Sequence, residues 1–281
     1  MPELPEVETV RRSLAPLLVG RRIDRVVVGR ADVVRSSFRR DRRAALGRGG
    51  VVEELVRHGK QLAFALRRAG AVHVHLGMSG QLFVTPPGAE PGRTDHVHVR
   101  WVLDDGSRLH FRDPRRFGGV WAYPSLEALR AERWERLGPD ALDIRAPVLR
   151  AGLARSGRAV KACLLDQGVL AGVGNIYADE SLFLARIHPL RPAASLSGAE
   201  VARLAATIRR VLCEAVAARG STLRDFIDAE QRRGGQQDRF RVYGRRGAPC
   251  PACGRSLLSL TVAGRTSTIC PSCQPNPGGS C

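Results

Sequence analysis

The sequence predicts an α+β fold: an N-terminal β-sandwich entered through one leading helix, then a helical half that ends in a zinc-ribbon β-hairpin. Three observations predict it. Apolar residues recur at helical spacing at the start, alternate with polar ones from Ile23 to Trp121, and return to helical spacing from about residue 150. Two Cys-x-x-Cys pairs stand near the end.

Residues 5–18 read as the leading helix, with Val7, Val10, Leu14 and Leu17 on one face and Gly20 as its stop. Strand-like segments follow: Ile23–Val28; Leu62, Phe64 and Leu66; Val72, Val74 and Leu76; Val97, Val99, Trp101 and Leu103; then Leu109, Phe111, Val120 and Trp121. Asp104-Asp105-Gly106 supplies a turn between them. Residues 1–123 are thus expected to form the sandwich domain, and the Pro-punctuated stretch 124–150 a linker region. Residues 151–241 are expected to be helical, with segments at Leu149–Ser156 and Ala159–Asp166 and a glycine-rich turn, Gly168–Gly174, leading into a helix near Asn175. Ser197 and Glu200 form a capping box for a long helix through Ala217, stopped by Gly220. Residues 221–229 suggest one more helix, and the polar stretch Glu230–Arg241 a mobile loop. Residues 242–275 form the cysteine module and 276–281 a tail.

With 281 residues the chain is long enough for two cores. Its net charge of +18 and pI of about 11.2 point to a polyanionic partner, most simply nucleic acid. A membrane surface fits less well, because no basic amphipathic helix with an aromatic face is present. The absence of a long apolar run or a signal-peptide pattern suggests an intracellular protein. Seven cysteines, an odd number with metal spacing, fit a reducing compartment.

Chemistry concentrates in a few stretches. Removing Met1 from Met1-Pro2-Glu3-Leu4-Pro5-Glu6 would expose the Pro2 amine. An α-amine, with a pKa of about 8 against about 10.4 for lysine, holds far more of the neutral nucleophile at pH 7. Glu3 and Glu6 could serve it as proton donor and orienting carboxylate, an arrangement suited to Schiff-base catalysis. Pro5 and Glu6 also suit a helix start, and both readings can hold. Cys250-Pro-Ala-Cys253 and Cys270-Pro-Ser-Cys273 bring four thiolates to one Zn²⁺; a full sulfur shell leaves no open position, so the metal is structural. Gly172-Val-Gly174-Asn175 either lets backbone N–H groups approach a phosphate or makes a tight helix connection. Met78 and Phe117, with Arg115, either pack in the core or fill the hole that a flipped base leaves in a duplex. Of the 45 basic residues only Lys60 and Lys161 are lysines: either an ammonium is needed at both, or the two survive by chance. His73/His75 and His96/His98 read as strand-face polar residues, Cys163 and Cys213 as buried thiols, and Cys281 has no assigned role.

The stretch Met1–Thr9 closely resembles the start of the formamidopyrimidine-DNA glycosylase family, the Fpg/Nei bifunctional base-excision enzymes. The resemblance runs through residues 1–274 in five motifs that keep the family's order. It implies a bacterial, cytoplasmic, nucleoid-associated monomer that excises oxidised purines from damaged double-stranded DNA and cleaves the abasic site, with zinc as its one cofactor. It implies a helix–two-turn–helix around Gly172–Glu180 and assigns roles residue by residue. Pro2 is the nucleophile and Glu3 its acid, with Glu6 beside them. Lys60 and Asn175 hold phosphates, and Arg265, at the tip of the zinc hairpin, holds the phosphate at the lesion. Glu180 lines the damaged-nucleotide pocket. Met78, Arg115 and Phe117 fill the void, and Lys161 lies in the DNA and base-recognition surface. Thr94 replaces a histidine that often contacts DNA, with His96 nearby. The Glu230–Phe240 loop lacks the Gly-Tyr-Phe that caps 8-oxoguanine in the family, so formamidopyrimidines, hydantoins or abasic sites could be better substrates. Two alternatives are a Nei-like enzyme for oxidised pyrimidines and a silent lesion-binding protein. Met78 and Leu4-Pro5 speak against the first; Pro2, Glu3, Lys60 and Glu180 speak against the second.

Overall fold

Helix α1 (Leu4–Leu18) starts where its own residues can satisfy its first N–H groups. Glu3 is the N-cap: its N–H donates to the Glu6 carboxylate at 2.8 Å, and its carboxylate accepts from the Glu6 N–H. The apolar stripe Val7, Val10, Leu14 and Leu18 is buried against the first sheet pair. The computed structural model that shows this describes residues 2–35, 42–90, 92, 95–223 and 226–276. The expectations for Met1, Thr94 and Cys281 lie outside the described residues.

The strands are β1 (Ile23–Val28), β2 (Val51–His58), β3 (Gln61–Arg67), β4 (Gly70–His75), β5 (Gln81–Thr85), β6 (Val97–Leu103), β7 (Arg108–Arg112) and β8 (Gly119–Tyr123). They form two antiparallel four-stranded sheets, β2-β3-β4-β8 and β1-β6-β7-β5, with Phe64, Trp101, Phe111 and the α1 stripe between them. Strands β2 and β5 are additions to the expected set. In β2 two adjacent glutamates, Glu53 and Glu54, break the alternation at a register shift, which hides the strand from a period-two reading. Short helices α2 (Arg42–Ala45) and α3 (Leu126–Leu129) complete the N-terminal half.

The chain divides into two compact units: residues 1–136 with 218–235, and residues 137–217 with 236–281. The second unit carries α4 (Ala146–Leu153), α5 (Val160–Leu165), α6 (Asn175–Ala185), α7 (Gly198–Ala217) and a hairpin of β9 (Leu258–Val262) and β10 (Arg265–Ile269). Helix α7 opens on the expected capping box, with the Ser197 N–H on Glu200 at 2.8 Å and the Glu200 N–H on Ser197 Oγ at 3.3 Å. The helix expected over 221–229 is absent among the described residues of that stretch. Its polar groups are engaged elsewhere: the Ser221 N–H donates to Glu6 at 2.7 Å, Thr222 Oγ1 to the Phe226 carbonyl at 2.9 Å, and Ala229 N–H to Ser13 Oγ at 3.1 Å. These bonds place 218–235 with the N-terminal unit, whereas the sequence pattern predicts that it continues the helical half.

One carboxylate fastens α1 to the sheet. Glu8 accepts from Arg11 at 2.8 Å, Arg12 at 2.7 Å and Arg57 of β2 at 3.0 Å. Burial alone would raise its pKa, but the hydrogen bonds from the three arginines outweigh it and hold Glu8 at about 2. A depressed carboxyl stabilises the fold above its unfolded pKa, and that stability is lost as pH falls toward the folded value. Acid titration should therefore cost this contribution between the ordinary glutamate value of 4.5 and about 2. Glu8→Gln, which leaves the buried Arg57 without its carboxylate, is expected to lose about 3 kcal/mol in thermal or urea unfolding at neutral pH. It should also flatten the melting temperature over that acid window.

Candidate active site and metal centre

In the first unit one sheet edge collects the candidate residues. Gln61 pairs with His75, and His75 with Gly119, forming a single row across β3, β4 and β8. Lys60 immediately precedes that row, Met78 leaves β4 three residues after it, and Phe117 enters β8 two residues before it. Helix α1 runs antiparallel to β2, because Arg11 reaches the Leu55 carbonyl at 3.4 Å while Glu8 reaches Arg57. Its N-terminus therefore points toward the Gly59-Lys60 turn, with Leu4 about 6 Å beyond Glu8 in that direction. Pro2 and Glu3 are both buried at this end. Glu6 accepts from Ser221 N–H at 2.7 Å and Ser221 Oγ at 3.0 Å, tying the helix start to the 218–235 loop.

Met78 and Phe117 are 43% and 52% exposed, which decides against core packing for either. Arg115 lies over the Phe117 ring at 4.6 Å, a cation–π contact. A residue without a predicted role, Asp113, organises all three. Its buried carboxylate accepts from Ser79 Oγ at 2.6 Å and from the Gly118 N–H at 2.8 Å, and Ser79 Oγ accepts the Arg115 N–H at 3.2 Å. The two turns lie backbone to backbone: a Cβ on Gly77 would stand 2.4 Å from Gly118 N, and one on Gly118 2.4 Å from the His75 carbonyl. His75 Nδ1 accepts the Gly77 N–H at 3.1 Å. Burial first, then the Lys60, Arg133 and Arg35 cations, push its pKa down and keep it the neutral acceptor that this bond needs. His96, exposed and at φ +60°, borders a hollow of about 400 Å³ with Arg30 and Arg116.

In the second unit the sulfurs of Cys250, Cys253, Cys270 and Cys273 lie within 4.8 Å of one another. The Cys250–Cys273 and Cys253–Cys270 separations of 3.9 and 3.4 Å bracket the roughly 3.8 Å edge of a tetrahedron with Zn–S bonds of about 2.3 Å. Backbone N–H groups of Ala252 and Cys273 donate to Cys250 and Cys270 sulfur at 3.4 Å each, as metal knuckles require. Burial and the neighbouring thiols push Cys273 up to about 12, so four thiolates this close need a cation among them. The donor set fits one structural zinc. Arg265 follows the exposed Ala263-Gly264 turn of the hairpin and is itself exposed. Asn175, the first residue of α6 behind the N-cap Gly174, donates its amide to the Thr266 carbonyl at 3.0 Å.

Three sequence profiles match in order: the formamidopyrimidine-DNA glycosylase N-terminal domain over residues 1–120, the formamidopyrimidine-DNA glycosylase H2TH domain over 137–227, and the zinc finger found in FPG and IleRS over 247–276. The formamidopyrimidine-DNA glycosylase of Symbiobacterium thermophilum is 45% identical over 99% of this chain and 91% of its own. The chain belongs to the formamidopyrimidine-DNA glycosylase family. The crystal structure of the family member MutM (FPG) from Thermus thermophilus is similar at a TM-score of 0.84 and 44% identity, over 97% of this chain and 98% of that one. A Lactococcus lactis FPG variant in complex with Fapy-dG-containing DNA gives a TM-score of 0.88 and 32% identity, over 98% and 100%.

Two of the residues to which the family resemblance gave roles are fully buried. Lys161 is wholly buried, with its ammonium on Asp179 at 2.6 Å, on Ser267 Oγ at 2.6 Å and on the Thr266 carbonyl at 3.2 Å, so it is not part of a DNA-facing surface. Burial pushes Asp179 up to about 6, with Lys161 pulling the other way. Glu180 is likewise fully buried and accepts the backbone N–H groups of Arg241, Val242 and Tyr243 at 2.9–3.0 Å. It anchors the entry to the zinc module. A lone Glu or Lys in an apolar pattern gives no sequence sign of such anchoring, because all its partners but Asp179 lie 61 to 106 residues away.

Two outcomes test the centre and the edge. Purified protein is expected to hold one zinc per chain by elemental analysis, and Cys270→Ser to lose it. Asp113→Ala, which strands the buried Gly118 N–H, is expected to lower stability by about 2 kcal/mol in urea unfolding.

Proposed function

We propose that the chain is a bifunctional DNA glycosylase/AP lyase that removes oxidised purines from duplex DNA, with Pro2 as nucleophile. The observation that carries this reading is the convergence of Lys60, Met78 and Phe117 on the sheet edge toward which the Pro2-bearing helix start points. Met78, Arg115 and Phe117 enter the stack as the damaged nucleotide rotates out. Met1 is removed, and neutral Pro2 attacks C1′ as the base leaves with a proton delivered through Glu3. A Schiff base then links Pro2 to the opened sugar. Loss of a C2′ proton expels the 3′ phosphate, and a second elimination expels the 5′ phosphate, leaving a one-nucleotide gap. Lys60, Asn175 and Arg265 take backbone phosphates, and binding weakens steeply with salt. The protein works as a monomer in the bacterial cytoplasm; among the described residues no helix is long and apolar enough to cross a membrane.

The loop favours formamidopyrimidines over 8-oxoguanine. That loop lacks the Gly-Tyr-Phe that caps 8-oxoguanine in the family. Borohydride is expected to trap a covalent protein–DNA adduct on abasic-site duplex, and Pro2→Gly to trap at least about tenfold less. Equal trapping by Pro2→Gly, or mature protein that retains Met1 by mass spectrometry, would remove Pro2 from the role. A silent lesion-binding protein would shift the duplex and leave it uncut. On a panel of single-lesion duplexes, formamidopyrimidine should be excised faster than 8-oxoguanine, whereas preference for oxidised pyrimidines would indicate a Nei-like enzyme.

A further inference from the structure

We infer that Lys161 is a positioning residue, whose buried ammonium fixes Arg265 of the zinc hairpin relative to Asn175 of α6. The inference rests on the reading that Arg265 takes a DNA phosphate. Its basis is a junction of three elements within one unit. Lys161 of α5 donates to Asp179 of α6, and to Ser267 Oγ and the Thr266 carbonyl of β10. The second oxygen of Asp179 accepts the Thr268 N–H at 3.0 Å, so the pair grips β10 on both sides of Ser267. Asn175 donates to the same Thr266 carbonyl at 3.0 Å. That carbonyl is shared by Lys161 and Asn175, and the residue that carries it directly follows Arg265. An amide nitrogen has two N–H groups, of which Thr266 takes one.

The junction also accounts for a compositional oddity. This chain uses arginine at nearly every basic position, yet keeps lysine here. An ammonium presents three N–H donors in a compact tripod, and three acceptors at 2.6, 2.6 and 3.2 Å stand round it. A planar guanidinium is larger and aims its donors in a fork, which a fully buried site of this shape does not match.

The test uses the full chain and a duplex with a tetrahydrofuran abasic analogue. Lys161→Met/Asp179→Asn removes the pair with no change in net charge and little change in volume. It is expected to keep its zinc, to bind this DNA about tenfold more weakly, and to show a log Kd against log salt slope smaller by about one, as when one phosphate contact is lost. Arg265→Ala should cost about tenfold in the parent and less than about twofold in the double variant, because the two changes disable the same contact. Ser267→Ala, which removes one acceptor and leaves the ion pair, should weaken binding about threefold and provides the same cycle if the double variant fails to fold. Equal costs of Arg265→Ala in both backgrounds would overturn the inference while leaving Arg265 a phosphate ligand. No cost of Arg265→Ala in the parent would overturn both.

Discussion

The buried Glu8 carboxylate is the constraint on which the N-terminal arrangement depends. The residues ahead of a first helix are ordinarily free to fray. Here the second turn of the leading helix is bound through Glu8 to Arg57, two residues ahead of Gly59 and three ahead of Lys60. The helix start and the β2–β3 turn thus share one charged joint, and the Glu3–Glu6 capping box and the Glu6–Ser221 bonds steady the helix start beyond it. An exposed ion pair would contribute little to this; a buried carboxylate held by three guanidiniums is directional and costly to break.

Much of the fold was legible because it is written in local periodicity. The leading helix, α7 with its capping box, most strands and the zinc hairpin follow from spacing within a dozen residues or so. What escaped was non-local. Strand β2 was hidden by its bulge, and the expected helix at 221–229 gives way to a loop because Glu6 and Ser13, more than 200 residues earlier, take its hydrogen bonds. The same limit governs the site. Pro2, Glu3, Lys60, Met78, Arg115, Phe117 and the four cysteines were visible as residue types in telling contexts. The burial of Lys161 and Glu180 was not, since a charged side chain in a sequence looks the same whether it faces solvent or is held by distant backbone. Asp113 drew no role from the sequence, because its partner Ser79 lies 34 residues away.

The two lysines separate two uses of one functional group. Lys60 sits half-buried at a turn on the candidate edge, whereas Lys161 is closed off from solvent. In a chain otherwise committed to arginine, Lys161 marks a place where size and donor geometry matter more than charge. Composition flagged both residues, and only the fold shows that Lys161 ties elements together while Lys60 stands at a turn on the candidate edge.

The seam where Gly77 meets Gly118 sets the interval between two tools. Met78 and Phe117 each stand one residue from it on opposing turns, and neither glycine can accept even a methyl group without driving the backbones apart. The gap between the two exposed side chains is therefore a fixed gauge, written in main chain and independent of what the side chains are. Redesign of this tip can change which side chain stands at each position, but the distance between them belongs to the scaffold.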